Sequence, residues 1–326
     1  MIQALGIDTP EYFERVTSPV QTFKQKAEWV MANDPAFLEG RPGPVKMMES
    51  ALRKHIIPAL GDLPLHMVDE TRVQEFIASL KTRVFERRAK DGHVIKTYKL
   101  SRSTIRNIVN VVKRVVGKRV WISWDLKLGR RPEKVEQRYF TEAQMAAIVE
   151  EAEGMWKVFF SVLAATGIRI GENCGLMVED LDLVNQVITI RRSFSEIAST
   201  MLPPKSRAGY REIDVDQGLC RALADYLAGR TSGLVFPSRR GTPLRGGNVI
   251  KRVLNPILRK LGIPTGGKVN HAFRHGRVTV LRKNKTPGDL QTLWIGHSSL
   301  EMTDRYSHTD QELEYRKQHV VSFRIQ

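Results

Sequence analysis

The chain has 326 residues, enough for two domains with cores of their own, and 41% of them are hydrophobic, ordinary for globular material. No apolar run approaches a membrane span, and the N-terminus M-I-Q-A-L-G-I-D-T-P-E lacks the basic and apolar regions of a signal peptide. Two isolated cysteines, Cys174 and Cys220, are too few for a disulfide framework or a cysteine metal site, so the expectation is a reducing cytoplasm, no metal and no membrane partner. Charge is the strongest compositional signal: 52 Lys and Arg face 35 Asp and Glu, a net of +17. Residues 81–138 concentrate it, with 18 basic side chains against 5 acidic ones. Basic residues interleaved with helix-forming apolar positions point to nucleic acid ahead of a solvated linker or an anionic membrane surface.

Residues 1–20 are weakly patterned, with Pro10 and Pro19 bracketing one possible helical turn. An amphipathic helix is expected from Phe23 to Met31, closed by G-R-P-G-P at 40–44, and another over 45–57, ended by Pro58. Asp69 is placed to cap a helix carrying Val73, Phe76, Ile77 and Leu80. A polar, basic insertion follows at about 81–100, with a turn at Asp91-Gly92. Ser101 or Ser103 then caps a long helix with Ile105, Ile108, Val109, Val112, Val115 and Val116 on one stripe. Its other faces carry Arg102, Arg106, Lys113 and Arg114, with Lys118 and Arg119 just beyond. These six are the candidates for phosphate contacts. The pattern gives an N-terminal extension (1–20), an all-helical domain (21–128) and a charged, aperiodic linker (129–138).

The remainder, 139–326, reads as mixed α+β with more helix than strand. Thr141 and Gln144 form a capping box opening a helix to about Glu153, and a second apolar helix runs from Trp156 to Thr166 and stops at Gly167. Val187–Arg191 and Arg211–Val215 alternate and read as strands. Helices are expected at about 216–228, 246–261, 271–283, 287–294, 299–305 and 310–319. The whole is mainly α, with one small antiparallel sheet.

Four short stretches carry residues suited to chemistry. A-A-T-G-I-R-I-G-E (164–172) holds Arg169 with Glu172 three positions on, which by itself is no more than a local surface pair. P-P-K-S-R-A-G-Y-R (203–211) puts Lys205 in a loop between strands, alone simply a solvated hairpin lysine. H-A-F-R-H (271–275) places His271, Arg274 and His275 on one side of a helix by i, i+3 and i+4 spacing, with Phe273 turned to the core. A metal site there is disfavoured, because no third ligand sits at suitable spacing and the arginine repels a cation. L-Q-T-L-W-I-G-H-S-S-L-E-M-T-D-R-Y-S-H-T (290–309) reads as two short helices broken at Gly296, with His297 nine residues before Tyr306. A tyrosine with an ordinary pKa near ~10 is a weak nucleophile at neutral pH and needs cations or a base beside it.

Arg, Lys, H-x-x-R-H, G-H and Tyr, in that order and at about that spacing, resemble the tyrosine recombinase (phage integrase) family. The resemblance covers 139–326 and, more loosely, 20–138. It implies a SAM-like helical core-binding domain followed by a catalytic domain, the two closing as a C-shaped clamp on double-stranded DNA. It implies catalytic roles for Arg169, Lys205, His271, Arg274, His297 and Tyr306, with Glu172 supporting the first arginine. No metal or cofactor is implied, and strand exchange would use a homotetramer in which the segment after Tyr306 docks on a neighbour. The chemistry agrees. Guanidinium forks suit the nonbridging oxygens of a phosphodiester and favour a tyrosinate. Lys205 is placed as proton donor to the departing 5′ oxygen, His271 as an aid to removing the tyrosine proton, and His297 as a phosphate ligand. The resemblance implies a 3′-phosphotyrosyl intermediate, resolved by another 5′ hydroxyl. Type IB topoisomerase chemistry and a binding-only protein on the same scaffold are the alternatives. Departures are Asn173-Cys174, where the family shows apolar residues, residues 1–20, short for an arm-site-binding domain, and the insertion at 81–100, longer than a compact core-binding domain needs and expected near DNA.

Overall fold

The computed structural model describes residues 21–89, 91–130, 139–204, 206–265, 269–296 and 313–323. The chain divides into two compact units, Met1–Val135 and Glu136–Gln326, each with its own hydrophobic cluster.

The first unit is helical. Thr22 and Gln25 form a capping box that opens α1 (Phe23–Asn33). Next comes α2 (Pro42–Ala51), then α3 (Glu70–Thr82), capped by Asp69 through Arg72 N at 2.8 Å. The expected stop at Pro58 does not occur. The helix continues from α2 through a wide π turn, Leu52–Ile56, into Ile57–Leu60. Proline lacks an N–H and its ring clashes with the carbonyl four residues back; a turn that bonds five back, Ile57 N to Leu52 O, relieves both. The second unit repeats the device with Ile250–Leu254 ahead of Pro256. Ser101, not Ser103, caps α4 (Arg102–Val116) through Thr104 N at 3.1 Å. The expected apolar stripe is buried, joined by Val111. A short α5 (Lys118–Trp121) follows. Within the polar, basic insertion at 81–100, for which only a turn at Asp91-Gly92 was expected, lies a two-stranded antiparallel ribbon, β1 (Phe85–Arg88) and β2 (Val94–Tyr98). Its alternation was hidden because both faces are open to solvent.

In the second unit the Thr141–Gln144 box opens α6 (Glu142–Glu151). Helix α7 (Met155–Thr166) runs through the middle of the core, with every side chain from Phe159 to Thr166 buried. Phe273 stacks on Phe160 at 5.8 Å and meets Phe140 edge-on at 5.0 Å, as expected of a core residue. The short α8 (Ile170–Cys174) leads to a three-stranded antiparallel sheet of β3 (Leu181–Asp182), β4 (Val187–Ile190) and β7 (Arg211–Asp214), in that order. Between β4 and β7 lies a second small hairpin, β5 (Ser193–Ser195) and β6 (Thr200–Leu202). Helices α9 (Gln217–Leu227), α10 (Gly246–Val249, continued to Lys260), α11 (Ala272–Lys283), α12 (Gly288–Ile295) and α13 (Leu313–Gln318) complete the fold. No helix among the described residues is long and apolar enough to cross a membrane.

Candidate active site

The site begins at the C-terminus of α7. Gly167 has φ +67°, the left-handed conformation that ends a helix, and a Cβ there would meet Arg277 Cβ at 3.1 Å and Ile295 Cδ1 at 3.2 Å. That turn delivers Arg169 to the N-cap of α8, where it joins Glu172 in two ways. The Arg169 backbone N donates to Glu172 Oε2 at 2.8 Å, and its Nη1 donates to Oε1 at 2.8 Å. The side chain of Arg169 keeps 43% of its surface exposed, while that of Glu172 keeps 5%. Arg169 therefore presents a charge to solvent from a buried carboxylate base.

Glu172 has a second partner that sequence reasoning missed. Arg211, at the start of β7, donates from Nη2 to Glu172 Oε2 at 2.9 Å, from Nε to the Trp294 carbonyl at 2.8 Å and from Nη1 to the Gly209 carbonyl at 3.1 Å. Its side chain is 1% exposed. The signal was present but small: Arg211, Ile213 and Val215 alternate, so the arginine shares the core-facing side of its strand. Burial alone would raise the Glu172 carboxyl. The charge of Arg211 and its hydrogen bond, then the Arg169 backbone bond and charge, outweigh burial and hold the pKa below the ordinary value.

Arg274, on the first turn of α11, is buried. Its Nη1 donates to the Gly167 carbonyl at 3.2 Å, two residues before Arg169, and its Nη2 donates to the Ile295 carbonyl. Burial, then the positive charges of Arg169 and Arg211, push its pKa down to about 9, with Glu172 opposing them; it stays protonated at neutral pH. Arg169, Glu172, Arg211 and Arg274 thus form one electrostatic cluster at the meeting of α7, α8, β7, α11 and α12. Gly296, which ends α12 with φ +69°, closes it: a Cβ there would lie 2.9 Å from Arg211 Cδ and from the Ala208 carbonyl oxygen.

His271 is not a member of the helix, as the i, i+3, i+4 reading required. It closes a 3-10 turn, Val269–His271, and stands at the N-cap of α11. Its ring is still 6.3 Å from that of His275. Burial, then the charge of Arg274, lowers the His275 pKa and leaves that ring neutral at pH 7. Lys205, His297 and Tyr306 lie outside the described residues. The segment 313–323 packs on its own unit. Arg316 donates from Nη2 to Glu212 and Asp214, both at 3.0 Å, Phe323 is buried, and Arg277 Nη2 donates to the Val321 carbonyl at 2.7 Å.

The six basic candidates on and after α4 divide into two groups. Arg114 pairs with Asp34 at 3.0 Å, Lys113 lies 4.6 Å over the Trp121 ring, and Arg102 donates to the Gly129 carbonyl at 3.0 Å. Arg106, Lys118 and Arg119 are exposed. Among the described residues no group of three or more His, Cys, Asp or Glu is placed to hold a metal ion.

Residues 138–312, more than half of the chain, match the sequence profile of the phage integrase family. This chain belongs to the phage integrase family. The tyrosine recombinase XerC of Bifidobacterium longum subsp. infantis is 30% identical over 162 residues, 46% of this chain and 42% of that protein. A XerC-like tyrosine recombinase of Caldanaerobacter subterraneus subsp. tengcongensis is 24% identical over 210 residues, 55% of this chain and 53% of that protein. The matching stretch spans about half the length of these relatives. The Tn1549 transposon integrase, in complex with transposon right end DNA, superposes with a TM-score of 0.65 and 19% identity, covering 91% of this chain and 98% of that one. A lambda integrase tetramer bound to a Holliday junction gives a TM-score of 0.59 at 15% identity, covering 91% and 85%. At these identities the likeness is one of fold: a helical N-terminal domain followed by a mixed domain with small antiparallel sheets.

Proposed function

We propose that this chain is a site-specific DNA recombinase that cuts and rejoins DNA through a 3′-phosphotyrosyl intermediate. The observation that carries the reading is the anchoring of Arg274 to the Gly167 carbonyl, two residues from Arg169. Two guanidinium groups from distant parts of the chain share one buried cluster whose single carboxylate leaves an excess of positive charge. Such an excess suits a scissile phosphate, whose nonbridging oxygens gain charge as the nucleophile enters. In this reading Tyr306 attacks phosphorus, the bond to the 5′ oxygen breaks, and Lys205 gives the departing oxygen its proton. His271 aids removal of the tyrosine proton, and His297 binds a phosphate oxygen. The 5′ hydroxyl of a second strand then attacks the phosphotyrosyl ester and releases Tyr306, so ligation needs no nucleotide cofactor. Residues 21–128 serve as the core-binding domain and 139–326 as the catalytic domain, with four copies in the synapse. XerC relatives and integrases seen with DNA support this assignment.

The test is a nicked suicide duplex carrying sites from the flanks of the chain's own gene. The wild type should leave a protein–DNA adduct on a denaturing gel, and Tyr306→Phe should bind the duplex without forming it. Undiminished adduct in Tyr306→Phe would overturn the assignment.

A further inference from the structure

The β1–β2 ribbon has no role in the cluster described above, and it breaks a local rule. Its register sets Phe85 opposite Tyr98, Glu86 opposite Thr97 and Arg87 opposite Lys96. Like charges directly opposite on neighbouring strands repel and destabilise the pair. Both Arg87 and Lys96 are exposed, and among the described residues neither has an ion-pair partner. The other cation of β1, Arg88, is spent on Glu86 and on the Gly92 carbonyl at the turn. A free two-stranded hairpin is marginal in water. This one is held at its base, where Phe85 stacks on Tyr98 at 5.9 Å and meets His55 edge-on at 5.3 Å. The rest projects, with Val94 at 41% and Ile95 at 54% exposure near the turn. A feature that costs stability within the fold is best explained by what it binds.

Resting on the recombinase reading, we propose that β1 and β2 form a DNA-contacting ribbon that enters the major groove of duplex DNA, with Arg87 and Lys96 on the phosphates. The major groove of B-form DNA admits a two-stranded ribbon, whereas the deep, narrow groove of duplex RNA does not. Val94 and Ile95 at the leading end are suited to thymine methyl groups. A second copy of the chain is the weaker occupant, because at a net +17 it brings more positive charge to an already repelling pair.

The experiment compares the full chain with the double variant Arg87→Gln, Lys96→Gln for binding to a random-sequence DNA duplex over a range of salt. Losing two phosphate contacts should flatten the plot of log affinity against log salt by about 2, which is roughly a 10- to 60-fold loss at ~0.1 M salt. Arg87→Lys with Lys96→Arg should restore the slope. Thermal stability of the Gln variant should hold or rise, since the repulsion is gone; a role in packing predicts loss of stability and binding together. Wild-type binding to DNA with the same slope in the variant would overturn the ribbon proposal and leave the recombinase reading standing. A wild type without salt-dependent DNA binding would overturn both. Duplex RNA competing as well as DNA would refute groove entry, and loss of self-association with the DNA slope unchanged would assign the ribbon to a protein contact instead.

Discussion

Replacing Arg211 by Met keeps much of the buried stem and removes the guanidinium. Three things happen at once: Glu172 loses its fully buried partner, and the Trp294 and Gly209 carbonyls lose their donors. Breaking a buried ion pair from one side costs roughly 3–5 kcal/mol, and Arg169, still bonded to Glu172, favours the lower end. For a unit of this size about 3 kcal/mol lowers the melting temperature by roughly 6–12 °C. The sign with pH is also fixed. In the wild type the Glu172 pKa is depressed, so its contribution is present above the unfolded carboxylate value and is lost as pH falls through the folded one. In the variant Arg169 alone counters burial, so the carboxyl titrates higher than in the wild type and the charged form is less well supported at neutral pH. The gap between the two melting temperatures should therefore be widest near neutrality and narrow as the pH drops through the carboxylate range. Arg211→Lys, with a point charge in place of a fork, should fall between them. Thermal melts across pH are the assay, with adduct formation on the nicked duplex as a second readout, expected to drop because Arg169 loses its rigid base. A gap that is constant with pH, or a loss below about 1 kcal/mol, would refute the reasoning that Glu172 is held ionised by Arg211.

Three further outcomes follow from the same packing. Gly296→Ala should cost about 1–2 kcal/mol from the left-handed backbone alone. It should also push on Arg211, so that adduct formation falls further than stability predicts; an unchanged adduct yield would mean that Arg211 does not position the site. Arg316→Met should leave the Asp214 carboxylate, among the described residues, with the Trp294 indole N–H at 2.7 Å as its side-chain donor and cost roughly 3 kcal/mol, read as faster hydrogen exchange and proteolysis in 313–323. Burial, then Glu196, pushes the Cys174 thiol up to about 12, and burial, then Asp216 and Asp182, pushes Cys220 up to about 11. Neither should react with iodoacetamide near neutral pH in the folded chain, and both should react in denaturant.

What the sequence disclosed is what is local. Thr141 with Gln144, Ser101 with Thr104, and Arg169 with Glu172 are bonds across three residues, so spacing alone finds them. The stripe of α4 follows from helical period. Arg211 escaped because its partners are far along the chain: Glu172 is 39 residues away and Trp294 is 83. Pro58 was read as a stop because the rule assumes an α turn before it, and a π turn removes the clash on which the rule depends. The ribbon escaped for the opposite reason. Strand signals rest on one face being buried, and on 85–98 both faces carry charge. The role of Arg274 was legible as a residue type but not as a geometry, since its bonds go to the carbonyls of two other helices.

Those two bonds explain how three arginines can share a site with one carboxylate. Arg274 covers the carbonyl of Gly167, which caps α7, and that of Ile295, the last residue of α12; Arg211 covers the neighbouring Trp294 carbonyl. The last carbonyls of a helix lack partners within it and carry the negative end of its dipole. The arginines thus satisfy groups that would otherwise be orphaned on burial, and the helix ends offset part of the repulsion among the cations. The offset is partial, because a helix terminus supplies only about half a charge and an arginine a whole one. Among the described residues Arg169 bonds no helix carbonyl, and its side chain is the most exposed of the three, so the uncompensated charge faces outward from it. The unneutralised positive charge of the cluster therefore meets solvent at Arg169, the side to which the proposed recombinase reading assigns the scissile phosphate.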